Sequence, residues 1–284
     1  MKPVKIITDS AVDLPIDLQE KYDISILPMH LLWEGKEYLD RIDIQPTECY
    51  QRIVDGAPLP KTSQVSGSQF VELVRPFLEE GRQVFYTGLS SGVSSTFDSA
   101  QMAKQELGNS DAFQIVDSKT SSLAVCFKLL EAAKVAAEGG DAMACAKAVE
   151  EAHNRVGTFF TVASLEYLHR GGRINTAKRI FGSALQIKPI MWMNKEDGKI
   201  DLLESVVSRK KAINRMVELM VREAAGRKVL AIGVEHALAF EEAAEMEAKA
   251  IEAVNPVNII RAELSPIIGA HVGPGTLNLA FICE

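Results

Sequence analysis

Residues 4–10 read Val4-Lys5-Ile6-Ile7-Thr8-Asp9-Ser10, an apolar run that ends abruptly in three small polar residues. Such a run, bounded by turn formers, is a strand signal, and a strand of this kind hands its carboxyl end to a loop where parallel sheets place ligands. The same texture returns at 24–27, 83–87 and 112–116. Between these runs Phe70, Val71, Leu73, Val74, Phe77 and Leu78 recur at helical spacing, with Ser66 placed to cap the helix and Gln69 completing a capping box. Residues 121–137 are apolar almost all round, which predicts a buried helix. Gly139-Gly140-Asp141 stops that helix, and Asp141 opens an Ala-rich one ending near Arg155. Strands alternating with helices are the signature of a parallel α/β sheet.

From Thr158 the texture changes. Residues 158–165 read as a strand and 166–173 as a charged turn. Residues 187–193 and 199–203 form a hairpin around Glu196-Asp197-Gly198, where Asp-Gly is a strong turn signal. A helix over 206–223, with Val206, Ile213, Met216, Val217 and Met220 on one face, a strand at 229–234, a helix over 240–254 and closing strands complete the chain. The expectation is α/β throughout, in two domains: 1–156 with a mostly parallel, Rossmann-like sheet, and 157–284 with a mixed sheet. Segment 61–81 is a candidate to pack with the second domain.

The 284 residues, 47% hydrophobic and 24% charged, suffice for one large core or two ordinary ones. Lys plus Arg number 31 against 38 Asp plus Glu, a formal charge of −7, which argues against nonspecific nucleic-acid binding. The N-terminal MKPVKIITDS has no apolar signal region. Residues 264–282 carry no charged side chain, yet Pro266, Gly269, His271, Gly273, Pro274, Gly275 and Asn278 would leave polar groups unsatisfied in lipid, so no membrane helix is expected. Cys49, Cys126, Cys145 and Cys283 lack CxxC spacing and read as free thiols of a reducing compartment, so the chain is expected to be soluble and cytoplasmic. HExxH, P-loop and post-strand GxGxxG patterns are absent, and His30, His153, His169 and His236 stand alone, so neither metal nor cofactor is expected. Asp9 and Asp117 end predicted strands, but two such acids are too common a feature to name a metal site.

Three polar clusters stand where loops after strands would put ligands: Lys61 to Ser66, Ser90 to Thr96, and Gly269 to Thr276. Hydroxyls and free N–H groups at helix N-termini suit anions such as carboxylate or phosphate, although the same residues also serve merely as caps and turns. Gly88-Leu89-Ser90-Ser91-Gly92 is formally G-x-S-x-G, and with His271 downstream it admits a serine esterase or lipase using Ser90 and His271. From Tyr167 to Lys195 there is no acidic residue, while Arg170, Arg173, Lys178, Arg179, Lys188 and Lys195 are basic; Arg209, Lys210, Lys211 and Arg215 follow. In an acidic chain this segregation suggests a docking surface for an acidic partner or a phosphate.

These segments together resemble the DegV family, the fatty-acid-binding subunit of bacterial fatty acid kinase. The matching residues are Thr8-Asp9-Ser10, Thr62-Ser63-Gln64, Ser90 to Thr96, Asp117-Ser118, Leu165 to Ile174 (LEYLHRGGRI), Ile187-Lys188-Pro189-Ile190, Arg209 with Lys211-Ala212, and Gly269 to Gly275 (GAHVGPG). The resemblance implies two α/β domains with a lipid tunnel between them. It places Thr62, Ser94 and His271 at the fatty-acid carboxylate, with Ser63, Ser95 and Thr96 in the supporting loops, and Arg173 and Arg209 at the kinase partner. It further implies a long-chain fatty acid as ligand, no cofactor and no catalytic residue of the chain's own. The ATP-dependent partner would convert the fatty acid to acyl phosphate for phospholipid synthesis, with no stable membrane insertion and at most transient membrane contact. Val65 stands where the family usually has Pro, and Ser95 where it usually has Gly. A tail burying about a dozen methylenes at ~0.8 kcal/mol each supplies on the order of 10 kcal/mol before ordering costs, so the head group needs no Arg clamp.

Overall fold

A computed structural model of the chain describes residues 4–180 and 187–284. Its first half runs β1 (Lys5–Asp9), α1 (Ile16–Lys21), β2 (Ile24–Leu27), β3 (His30–Trp33), β4 (Lys36–Leu39), α2 (Pro46–Val54), β5 (Lys61–Ser63), α3 (Gly67–Glu79), β6 (Val84–Tyr86), α4 (Thr96–Glu106), β7 (Phe113–Ile115), α5 (Leu123–Ala137) and α6 (Ala142–Glu151). The second half runs β8 (Val156–Thr161), α7 (Glu166–Arg170), β9 (Lys188–Met193), β10 (Ile200–Val206), α8 (Arg209–Ala224), β11 (Val229–His236), α9 (Phe240–Val254), β12 (Asn258–Glu263), α10 (Pro266–Val272) and β13 (Leu277–Cys283).

The first sheet has the order β2-β1-β6-β7 and is parallel throughout. The second, β10-β9-β8-β13-β11-β12, is mixed: β11 and β12 run parallel and the other pairs antiparallel. Both sheet types are as the sequence predicts. The predicted capping box is formed, Ser66 Oγ accepting from the Gln69 N–H at 3.3 Å and the Gln69 side chain accepting from the Ser66 N–H at 2.9 Å. The predicted hairpin turns at Gly198, whose φ of +67° is the left-handed conformation that glycine adopts at least cost.

Two of the polar clusters are not loops after strands. Lys61–Ser63 is itself a strand, β5, pairing with β3 in a three-stranded antiparallel sheet of order β4-β3-β5 that the periodicity does not reveal. Gly269 to Val272 form the last turn of α10, and the loop starts only at Gly273. The start signal of α10 is local: Ser265 Oγ accepts from the Ile268 N–H at 3.3 Å, and Pro266 occupies the first turn, where its missing N–H costs nothing.

α5 ties the halves together. Being apolar almost all round, it packs on β1 of the parallel sheet and on β8, β11 and β13 of the mixed one. The core around it unites Ile6 and Phe85 with Val156, Ala280 and Ile282. Gly233 of β11 permits this approach, because a Cβ there would sit 2.9 Å from Leu123 Cδ1. The opposite face of the mixed sheet is covered by α8 and α9. All four cysteines are buried free thiols, and no helix among the described residues is long and apolar enough to cross a membrane.

Candidate functional site

A cavity with about 870 Å³ of space, part of it open to solvent, lies where β5, the turn before α4, the turn after α7 and α10 converge. Met29, Leu89, Phe160, Met193, Ile267 and Ile268 give it mainly apolar walls. Thr62, Ser94, Ser95, Arg173 and His271 also line it, and all five border the clefts that open beside it.

Thr62 and His271 come from a strand and a helix far apart in sequence, yet Thr62 Oγ1 lies 2.8 Å from His271 Nε2. Successive strand residues face opposite ways, so Thr62 points inward while Ser63 is exposed, its hydroxyl donating to the Gln64 carbonyl at 3.4 Å. Burial, reinforced by the charge of Arg173, pushes the His271 imidazole down to about 4, so the ring is neutral at pH 7. Its Nδ1 is buried without a hydrogen-bond partner. An orphaned buried N–H is costlier than an orphaned lone pair, which assigns the single ring proton to Nε2. His271 then donates to Thr62, and the Thr62 hydroxyl proton is left for an acceptor in the cavity. Gly171 makes room for this ring: a Cβ at that position would lie 2.3 Å from His271 Nδ1.

Ser94 sits in the turn before α4, its N–H donating to Ser90 O at 3.1 Å. Its Oγ lies 3.0 Å from Thr96 Oγ1 and accepts from the Thr96 N–H at 3.3 Å, so buried Thr96 steadies Ser94 from behind. Ser95, the N-cap residue of α4, makes no side-chain capping bond. Val65 is fully buried in the core that includes Phe70.

Arg173 and Arg209 differ. Arg173 Nε donates to Val93 O at 3.1 Å and Nη1 to Gly171 O at 2.7 Å, which fastens the Ser94 turn to the turn after α7 and sets a positive charge on the cavity wall. Arg209 lies off the cavity, its Nε and Nη2 paired with Glu242 at 3.0 and 3.1 Å and Nη2 also donating to Gly275 O. The Arg179 side chain lies outside the described residues. Ser90 does not meet His271: its Oγ donates to Gly198 O at 2.8 Å and accepts from the Gly92 N–H at 3.1 Å, and it is absent from the cavity wall.

A further polar group went unrecognised in the sequence. Ser122, the N-cap residue of α5, lines the cavity with φ 57° and ψ −140°, a conformation strained for a residue with a Cβ. Its Oγ contacts both Asp13 Oδ2, at 2.5 Å, and Glu235 Oε1. Burial, and then the charge of Asp13, raise the Glu235 carboxyl far above the usual carboxylate range. Glu235 therefore keeps its proton and donates to Ser122, Ser122 donates to Asp13, and the other oxygen of Asp13 accepts from Arg41 at 2.6 Å. The Asn278 amide donates to Glu235 Oε2 at 2.5 Å.

The chain from residue 3 to 284 matches the model of a family described as uncharacterised protein, DegV family. A DegV domain-containing protein of Caldanaerobacter subterraneus is 30% identical over 281 residues, 99% of each chain. Among solved structures, the fatty-acid-binding DegV family protein from Thermus thermophilus has a TM-score of 0.92 at 30% identity, covering 99% of this chain and 100% of that one. DegV of Bacillus subtilis, described as a fatty acid binding protein, has a TM-score of 0.88 at 29% identity, with 100% of both chains covered. The match over nearly its whole length, to relatives of the same length and fold, means that this chain belongs to the DegV family.

Proposed function

We propose that this chain holds one long-chain fatty acid in the cavity, as a tunnel between its halves, and presents the carboxylate to an ATP-dependent partner kinase. The observation that carries the reading is the cavity itself: apolar walls suited to an acyl tail, with the Thr62–His271 pair and Ser94 among its polar lining. The Thermus thermophilus and Bacillus subtilis relatives, named for fatty-acid binding, support the ligand class.

The division of labour follows from the energetics. Tail burial supplies the affinity, so the head-group residues need only orient. The Thr62 hydroxyl, aligned by a neutral imidazole, and the Ser94 hydroxyl donate to the carboxylate without a full counter-charge, which leaves an oxygen nucleophilic. That oxygen attacks the terminal phosphorus of ATP on the partner, ADP departs, and an acyl phosphate for phospholipid synthesis remains on this chain. Arg173 and Arg209 mark the face offered to the kinase. The chain itself contributes no catalytic residue, works in the cytoplasm, and meets the membrane only transiently.

Native mass spectrometry of the purified protein tests the ligand. One fatty acid per chain, lost on delipidation and regained on addition of palmitate or oleate, is expected; a delipidated chain that takes up neither overturns the reading. Addition of the partner kinase and ATP is then expected to yield acyl phosphate from the loaded chain, and none from a Thr62→Val, His271→Ala variant.

A further inference from the structure

Beside the cavity mouth opens a second cleft with about 830 Å³ of space, bounded partly by solvent. The two share a wall made of Val93, Ser94, Ser95, Arg173 and Ile200. Their chemistry differs. The cavity is mainly apolar, whereas the cleft is lined by hydroxyls, the Asn175 amide and three cations, Arg173, Lys178 and Lys199, with no aspartate or glutamate among its described lining residues.

In a chain of net charge −7 such one-sided charge calls for an anion. The carboxylates that come near are already engaged. Asp201 accepts from Asn175 at 2.6 Å, Thr176 at 3.0 Å and Asn194 at 3.0 Å. Asp117 accepts from the Ser91 N–H and hydroxyl at 3.1 and 2.5 Å and from the Lys119 N–H at 3.0 Å. Lys199 Nζ has an ion pair with Asp197 at 3.0 Å, half exposed to water and therefore weak. The two hydrogen bonds of Arg173 go to carbonyls, which leave its charge unmatched. Lys178 is exposed, and no described residue pairs with it.

We propose that this cleft is a phosphoryl subsite, which takes the phosphate of an acyl phosphate while its hydrocarbon chain stays in the cavity. The proposal rests on the fatty-acid reading above and deepens it. A carboxylate carries one charge, and the neutral donors Thr62 and Ser94 suffice for it. Phosphorylation adds three oxygens and a second negative charge, and Lys and Arg donors hold such a group through charge-assisted hydrogen bonds. The shared wall at Ser94 and Ser95 puts the new group next to the carboxylate oxygen that bears it. Lys178 and Lys199 thus discriminate product from substrate, and the chain grips the acyl phosphate more tightly than the fatty acid it began with.

Binding to the delipidated full chain, without kinase, tests this. The probes are palmitate, inorganic phosphate, and a β-keto alkylphosphonate of matched chain length in which a CH₂ replaces the bridging oxygen. The Lys178→Ala, Lys199→Ala variant is expected to bind palmitate as the parent does and the phosphonate about tenfold or more weakly, a Lys178→Glu variant more weakly still. Inorganic phosphate is expected to compete with the phosphonate and not with palmitate. Phosphonate affinity unchanged in both variants, with palmitate binding intact, overturns the subsite and leaves the fatty-acid reading standing. A parent chain that binds palmitate but not the phosphonate has the same meaning. A parent chain that binds neither overturns the fatty-acid reading, and the subsite with it.

Discussion

Thr62 Oγ1 and His271 Nε2 meet at 2.8 Å across 209 positions of sequence, one on the small antiparallel sheet and the other in the last turn of α10. The pair belongs to the polar lining of the cavity and determines which protons are available there.

Thr62→Val keeps the shape and removes the hydroxyl. Loss of one hydrogen bond to a charged ligand corresponds to about 1.5–3 kcal/mol, so palmitate affinity is expected to fall roughly 10- to 100-fold. Isothermal titration of delipidated protein measures it; a change below twofold would show that the carboxylate is held elsewhere.

Gly171→Ala leaves the backbone unstrained, since φ there is −75°. Its new methyl, however, would lie 2.3 Å from His271 Nδ1. The ring must shift, which spoils its alignment with Thr62, so this variant is expected to weaken fatty-acid binding about as much as Thr62→Val while its far-ultraviolet circular dichroism stays unchanged.

The pH dependence of stability has a definite sign. His271 titrates at about 4 when folded, against an ordinary 6.5. The unfolded chain therefore binds the proton first, and stability falls as the pH drops from about 6.5 to about 4, by on the order of 3 kcal/mol. His271→Gln removes this contribution. Its urea-unfolding free energy is expected to decline less steeply than that of the parent across the same window, and parallel slopes would refute the assignment.

Ser122→Ala deletes the hydroxyl that joins Glu235 to Asp13 and keeps the strained φ of 57°. Leaving buried polar groups unpaired is expected to cost about 1–3 kcal/mol. Ser122→Gly loses the same hydroxyl but relieves the backbone, and is expected to be about 1 kcal/mol more stable than Ser122→Ala. Equilibrium unfolding in urea ranks the two variants.

What the sequence discloses is local. The strand at Val4 to Ile7, the Ser66–Gln69 capping box, the buried helix after Ser122 and the Asp197-Gly198 turn all depend on neighbours within a few positions, and each is found in the structure. Lys61–Ser63 escapes because three residues carry no periodicity and its partner β3 lies about thirty positions upstream. α10 escapes because its glycines and prolines imitate a loop, even though Ser265-Pro266 announces it. Thr62, Ser94 and His271 are picked out by resemblance, not by spacing. No sequence pattern brings Asp13, Ser122 and Glu235 together, since only packing of α5 against β11 does so. Arg209 reads as surface charge because its partner Glu242 belongs to a helix that comes later in the chain.

The placement of α5 has a consequence for how the two lobes can move. A single rod forms part of the interior of both lobes, so they cannot swing apart like a clamshell without tearing a shared set of contacts. On the fatty-acid reading, loading and unloading then proceed by local displacements near the rim rather than by separation of the lobes.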